Sequence, residues 1–289
     1  MVLSYRSAML PLLPQLAEKL SAGFTASRQG CFLWATDSIV REFSAGAEHV
    51  DEATSEAIFH FFEQQTVTFL TALSELTPEE LPDVIEDFFR LAIDVLLYYP
   101  MKALSSNLIK PILSAANSSL TLLKEEPLMA TLHFLRDFLA YGGEDNPTSS
   151  FDEQFGRPRG NPPEVQAAVK HLLTEEGEVI TQRILTGMMY TFPRDCFPDA
   201  SGVLLGMFQV VPQETARWVA TTIGMLPAGS ITPQESSRLL GSIEQCVQMA
   251  DMRRIRTLLQ DFTNSYRRRN VAPRDGLGRL EATRFRFVQ

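Results

Sequence analysis

Leu81-Pro82-Asp83-Val84-Ile85-Glu86-Asp87-Phe88-Phe89-Arg90-Leu91-Ala92-Ile93-Asp94-Val95-Leu96-Leu97-Tyr98-Tyr99 is the stretch on which the fold turns. Leu81, Val84, Ile85, Phe88, Ala92, Val95, Leu96 and Tyr99 recur at spacings of three and four, the period that gathers side chains on one face of an α-helix. Asp83, Glu86, Asp87, Arg90 and Asp94 take the opposite face. Such a stripe needs a partner helix, because burying one Leu or Phe side chain contributes roughly 1.5–3 kcal/mol. Just upstream, Thr77-Pro78-Glu79-Glu80 supplies a capping residue, a proline at a helix start and acids in a first turn. Pro100 follows with almost no loop, so the next helix is an antiparallel neighbour.

Outward from this segment the same period repeats. It predicts helices at about 5–22, 31–45, 51–75, 81–99, 101–124, 127–141, 164–191, 197–209, 212–226, 233–249 and 251–269. Thr232-Pro233-Gln234-Glu235 repeats the start signal, and Pro127, Pro198 and Pro212 also sit at starts. Alternating strand-like runs joined by hairpin turns are absent from the pattern. The helices read as one unpaired helix followed by five hairpins, whose first members begin near 31, 81, 127, 197 and 233. Their mean spacing approaches the 40–47 residues of HEAT-type units, which stack, share one continuous core and touch only their neighbours. The expected fold is therefore all-α, an α-solenoid of antiparallel helix hairpins over 1–269. A flexible loop is expected at 142–163, where Gly, Pro and Ser concentrate, and an Arg-rich disordered tail at 270–289.

With 289 residues and 45% hydrophobic side chains, the chain exceeds what one compact core usually spans. Its formal charge is −9 and unevenly placed: residues 1–250 carry 16 Lys and Arg against 31 Asp and Glu, whereas residues 251–289 carry 10 Arg against four acids. An acidic body argues against nucleic acid as the main partner and suits basic protein ligands. Cys31, Cys196 and Cys246 lack metal-ligand spacing and read as buried, reduced thiols. No apolar run approaches the roughly 18–20 residues of a membrane span, and no signal peptide is visible.

Three blocks carry a resemblance. Phe88-Phe89-Arg90-Leu91-Ala92-Ile93-Asp94, with Tyr99-Pro100 and then Leu108-Ile109-Lys110-Pro111-Ile112-Leu113, resembles the C-terminal repeats of the transportin-SR family of importin-β-like nuclear import receptors (karyopherin-β). Leu132-His133-Phe134-Leu135-Arg136-Asp137-Phe138-Leu139 and Leu259-Gln260-Asp261-Phe262-Thr263 are similar to later helices of that family, in the same order over about residues 8–269. The resemblance implies a receptor that shuttles between cytoplasm and nucleus. It would carry protein cargo such as Arg-Ser-rich or RNA-binding proteins, engage nucleoporins and release cargo to Ran-GTP, without cofactor or membrane. It also implies that the chain corresponds to the last third of such a receptor. The family's main Ran-binding surface lies in N-terminal repeats with no counterpart here, and the Arg-rich tail extends beyond the family's expected end.

Other motifs point to different chemistry. Asp83-Val84-Ile85-Glu86-Asp87, together with Asn117, Thr121 and Glu125 at i, i+4 and i+8, resembles the two Mg²⁺ motifs of all-α terpenoid synthases. Ser118 stands where the second motif wants Asp, so an acidic solvated face is the plainer reading. A helical scaffold without a transport role is the other alternative. His49, His60, His133 and His171 show no paired-ligand spacing, no Gly-x-Ser-x-Gly elbow or phosphate loop occurs, and Asn117-Ser118-Ser119 is a glycosylation match inside a predicted helix. For cargo, the candidates are acids on the second helices of hairpins, which line the inner face of HEAT arrays: Glu63, Glu175, Glu176, Glu178 and Glu214. Arg253 and Arg254 are candidates for an acidic partner.

Overall fold

The computed structural model describes residues 6–44, 50–144 and 160–271. Most of the expected loop and all of the tail beyond Val271 lie outside them. Among the described residues there is no strand, and twelve α-helices carry the fold: α1 (Leu13–Ser27), α2 (Cys31–Glu42), α3 (Glu52–Glu75), α4 (Pro82–Tyr98), α5 (Pro100–Ser105), α6 (Ile109–Ser119), α7 (Glu125–Ala140), α8 (Pro163–Thr186), α9 (Phe197–Val210), α10 (Pro212–Gly224), α11 (Pro233–Gln248) and α12 (Met252–Asn270). No helix among them is long and apolar enough to cross a membrane. The chain divides into two compact units, Met1–Glu176 and Gly177–Gln289.

In the first unit α2, α4 and α7 lie side by side, while α3 and α6 form a second row behind them. α4 is central to the packing. Every residue of its expected stripe is buried, and so are Phe89 and Leu91, because the helix is covered by α2, α3 and α7 together. An aromatic ladder joins these helices. Phe69 of α3 stacks on Phe88 with centroids 3.7 Å apart, Phe89 meets Phe134 of α7 at 5.2 Å, and Phe134 continues to Phe138. Such aromatic contacts add to the area they bury. Asp51 caps α3, its Oδ1 accepting from Thr54 N at 2.8 Å, whereas the Thr77 signal closes a capping box with Glu80 over a separate 3-10 turn, Pro78–Glu80, and α4 starts at Pro82 without a side-chain cap.

Three boundaries differ from expectation. The first helix begins as a 3-10 turn, Arg6–Leu12, and α1 runs on to Ser27, ended by Arg28 in the left-handed region at φ 52°. The helix expected over 101–124 is two helices with a break at Ser106–Leu108, and its second part stops at Ser119. Pro111 is the reason: its ring would clash with the carbonyl of residue 107 in a continuous helix, so a new helix starts at Ile109 and carries Pro111 in its first turn. The third boundary ends α8, which widens into a π turn, Gly187–Thr191, closed by Phe192 N donating to Gly187 O at 2.7 Å. The Phe192 ring occupies the space that a side chain at position 187 would fill.

In the second unit α9 packs on α10, and α10 on α11. α12 does more than pair with α11. It lies along α9 and against the π turn, burying Ile255, Leu259, Thr263 and Tyr266. A strictly nearest-neighbour hairpin array would not bring the last helix back to the end of α8. Arginines secure it there. Arg256 donates to Pro198 O at 2.8 Å and to Ser201 Oγ at 3.0 Å, and Arg267 donates to Phe192 O at 2.7 Å while lying over the Phe197 ring.

Candidate functional site

Three candidate acids fall in the first unit, and each is tied to a neighbouring helix. Glu63 of α3 accepts from Ser106 Oγ at 3.1 Å, across to the turn before α6, and His60 lies 3.5 Å from its other oxygen. Glu175 of α8 pairs with Lys110 Nζ of α6 at 3.0 Å. That lysine holds the Glu175 carboxyl below the usual carboxylate range. Two turns along α6, Asn117 Nδ2 donates to Glu176 Oε2 at 2.8 Å. Asn117 is buried and its Oδ1 has no hydrogen-bond partner, so the glycosylation match is a packing residue.

Lys110 and Glu175 remain 53% and 39% exposed at their side chains. A pair this open contributes little to stability. A guanidinium can engage a carboxylate through two parallel hydrogen bonds, where an ammonium such as that of Lys110 makes a point contact. Glu63, Glu175 and Glu176 thus line one succession of helices, α3, α6 and α8, through Ser106, Lys110 and Asn117. Sequence reasoning missed those three partners, because they lie 43 or more residues from the acids they meet.

The other candidates fall in the second unit. Glu178 is exposed on α8. Glu214, in the first turn of α10, has Arg217 at 3.9 Å one turn on. Arg253 and Arg254 are exposed in the first turn of α12, where Asp251 Oδ1 accepts from Arg254 N at 3.2 Å. Cations at a helix N-terminus oppose the helix dipole, so these two side chains are not there for the helix's own sake. The remaining arginines of that helix divide differently: Arg256 and Arg267 hold α12 in place, and Arg269 pairs with Glu235 of α11 at 2.7 Å.

Two sequence readings change. Cys196 and Cys246 are buried as expected, but Cys31 is exposed at the start of α2, where the helix has not yet come under cover. Asn117, Thr121 and Glu125 do not share a helix face. α6 ends at Ser119, Thr121 sits in the following turn bonded to Ser118 O, and Glu125 opens α7. The second Mg²⁺ motif of the terpenoid-synthase reading therefore has no helix to be built on.

Helices packed in succession along the chain define a helical-repeat protein. Comparison with known proteins takes this further. No family model matches the chain. An uncharacterized Schizosaccharomyces pombe protein is 33% identical over 277 residues, covering 94% of this chain and 28% of the relative. The mRNA transport regulator MTR10 of Saccharomyces cerevisiae is 23% identical over 277 residues, 91% of this chain and 28% of that protein. Among solved structures, importin-13 in its cytosolic state matches 93% of this chain and 28% of its own, with a TM-score of 0.70 at 18% identity. The fold is that of an α-solenoid of HEAT-type hairpins. The chain is similar to the Schizosaccharomyces pombe and Saccharomyces cerevisiae proteins along more than nine-tenths of its own length, and it spans 28% of the length of each.

Proposed function

We propose that this chain serves as cargo-binding repeats of a karyopherin-β-type nuclear import receptor that shuttles between cytoplasm and nucleus. The observation that carries the reading is the match along 91% of the chain to a protein named an mRNA transport regulator. The half-exposed acids of the α3, α6 and α8 succession support it, since carboxylates held beside replaceable partners suit a basic protein cargo. Arg-Ser-rich or RNA-binding proteins are the cargo class proposed. Ran-GTP response and nucleoporin contact are assigned to a protein that also supplies the remaining repeats. Immobilised chain should retain an Arg-Ser-rich nuclear protein from purified solution, and Glu175→Lys together with Glu176→Lys should weaken retention several-fold. Equal retention by the double variant would remove these acids from the cargo surface. Failure of the unsubstituted chain to bind would leave it a scaffold.

A further inference from the structure

A second surface lies on the other row of the first unit, between α2 and α4. Two depressions, of about 340 and 680 Å³, meet there and share one wall, made by Trp34 and Asp87. Trp34 stands 61% exposed. A large indole in water is unfavourable unless something covers it, and aromatic side chains left open in this way mark binding surfaces. Asp37 lies one turn from Trp34 on the same face of α2 and forms the floor of the smaller depression. It is only 8% exposed, and its Oδ1 has no hydrogen-bond partner. A buried acceptor left unmade costs free energy that a donor entering from the groove would recover.

The neighbouring charges show which acceptors are free. Arg41 sits 3.5 Å from Asp94 and 4.0 Å from Asp37 Oδ2, Lys124 is 3.4 Å from Asp83, and Arg90 is 2.6 Å from Glu86. Asp87 has no ion-pair partner among the described residues. Its carboxylate lies over the backbone of Gly30, where a Cβ would collide with it, so the glycine lets it approach α2. The Asp87 carboxylate therefore lies open beside an exposed indole face. The carboxylates are strung along the groove and do not form a metal-ligand set among the described residues, which favours an extended organic cation over an ion. A planar guanidinium meets both demands: it stacks on an indole and still has donors at its edge for carboxylates.

We propose that the groove between α2 and α4 binds an arginine side chain presented by a partner segment, with the guanidinium stacked on Trp34 and hydrogen-bonded to Asp87. The site is separate from the acids of α3, α6 and α8 and does not depend on the transport reading. Three probes test it: a fluorescein-labelled peptide of alternating glycine and arginine, its lysine counterpart, and its citrulline counterpart, which keeps the shape and loses the charge. Cys31 lines the same groove and is the exposed thiol, whereas Cys196 and Cys246 are buried. Alkylation of Cys31 by N-ethylmaleimide therefore reports occupancy. The arginine peptide should bind, slow alkylation of Cys31 and outcompete the lysine peptide, while the citrulline peptide should not bind. Trp34→Ala and Asp87→Asn, each checked for unchanged helicity and melting temperature, should each weaken binding by about tenfold or more. If Trp34→Ala binds the arginine peptide as tightly as the unsubstituted chain, or Cys31 is alkylated at the same rate with the peptide bound, attraction is to the acidic surface at large and the proposal fails. If a variant loses helicity, the alkylation result on the unsubstituted chain decides.

Discussion

Single residues in this chain take their meaning from what faces them. Gly177 lies within α8, where alanine would ordinarily gain about 1 kcal/mol in helix propensity. Here the Trp218 ring of α10 covers it, and a Cβ at position 177 would sit 2.5 Å from Cη2. The ring is itself buried and cannot swing away, so overpacking at roughly 1–3 kcal/mol outweighs the propensity gain. Gly177→Ala should lower the melting temperature by several degrees in differential scanning calorimetry. Asp37 is the second case. Burial, with the hydrogen bond and charge of Asp94, pushes its carboxyl up to about 8, against the pull of Arg41. An acid whose folded value exceeds its unfolded value near 3.9 takes up a proton on folding. Its stabilising contribution is complete below pH about 4 and is lost as pH rises toward 8. Asp37→Asn, neutral throughout, should melt with the unsubstituted chain near pH 4.5 and above it at pH 8. A constant difference across that range would mean Asp37 does not titrate as described.

At the scale of elements, the local signals for starting a helix were legible and those for docking one were not. Thr232 and Glu235 form the capping box their spacing announces, with Glu235 N donating to Thr232 Oγ at 3.2 Å. Thr232→Ala should destabilise the second unit by about 1 kcal/mol in urea titration. Pro111 carried the break between α5 and α6 in plain view, and only its position one turn into α6 made the meaning clear. The docking of α12 was hidden, because an Arg-rich helix looks alike whether its arginines face solvent or a neighbour. Arg267 reaches a backbone carbonyl that helix geometry leaves open at the end of the π turn. Arg267→Ala should cost about 1.5–3 kcal/mol, whereas Arg253→Ala on the exposed first turn should stay within about 0.5 kcal/mol. Equal effects from the two substitutions would contradict the docking described.

For the whole molecule, an open apolar face has a consequence. α1 and α3, with Ile39 of α2, enclose an apolar depression of about 320 Å³ whose lining includes Leu10, Leu13, Ala17, Ile58 and Phe61. A stacked helical unit that keeps such a face open tends to cover it with another surface. Static light scattering of the isolated chain should show a mass that rises with concentration, and Leu10→Lys should suppress the rise. A constant monomer mass up to high concentration would mean the depression is tolerated by water. The same scale explains why the arrangement of the candidate acids was only partly legible. Charge balance located an acidic body, yet it could not say that Glu63, Glu175 and Glu176 line one succession of helices while Glu178 and Glu214 belong to the other compact unit.

What the sequence by itself determined is what depends on residues three and four apart: the helical period of 81–99, the caps, the order of paired helices and the net charge. Those features follow from backbone geometry that is the same in every helix. Only the tertiary structure decided which charges are paired across helices, which arginines are struts, and that Trp34 and Asp87 wall a common groove. Each of these depends on side chains brought together from distant positions, and helix periodicity leaves the orientation and neighbours of a surface side chain open until the helices are packed.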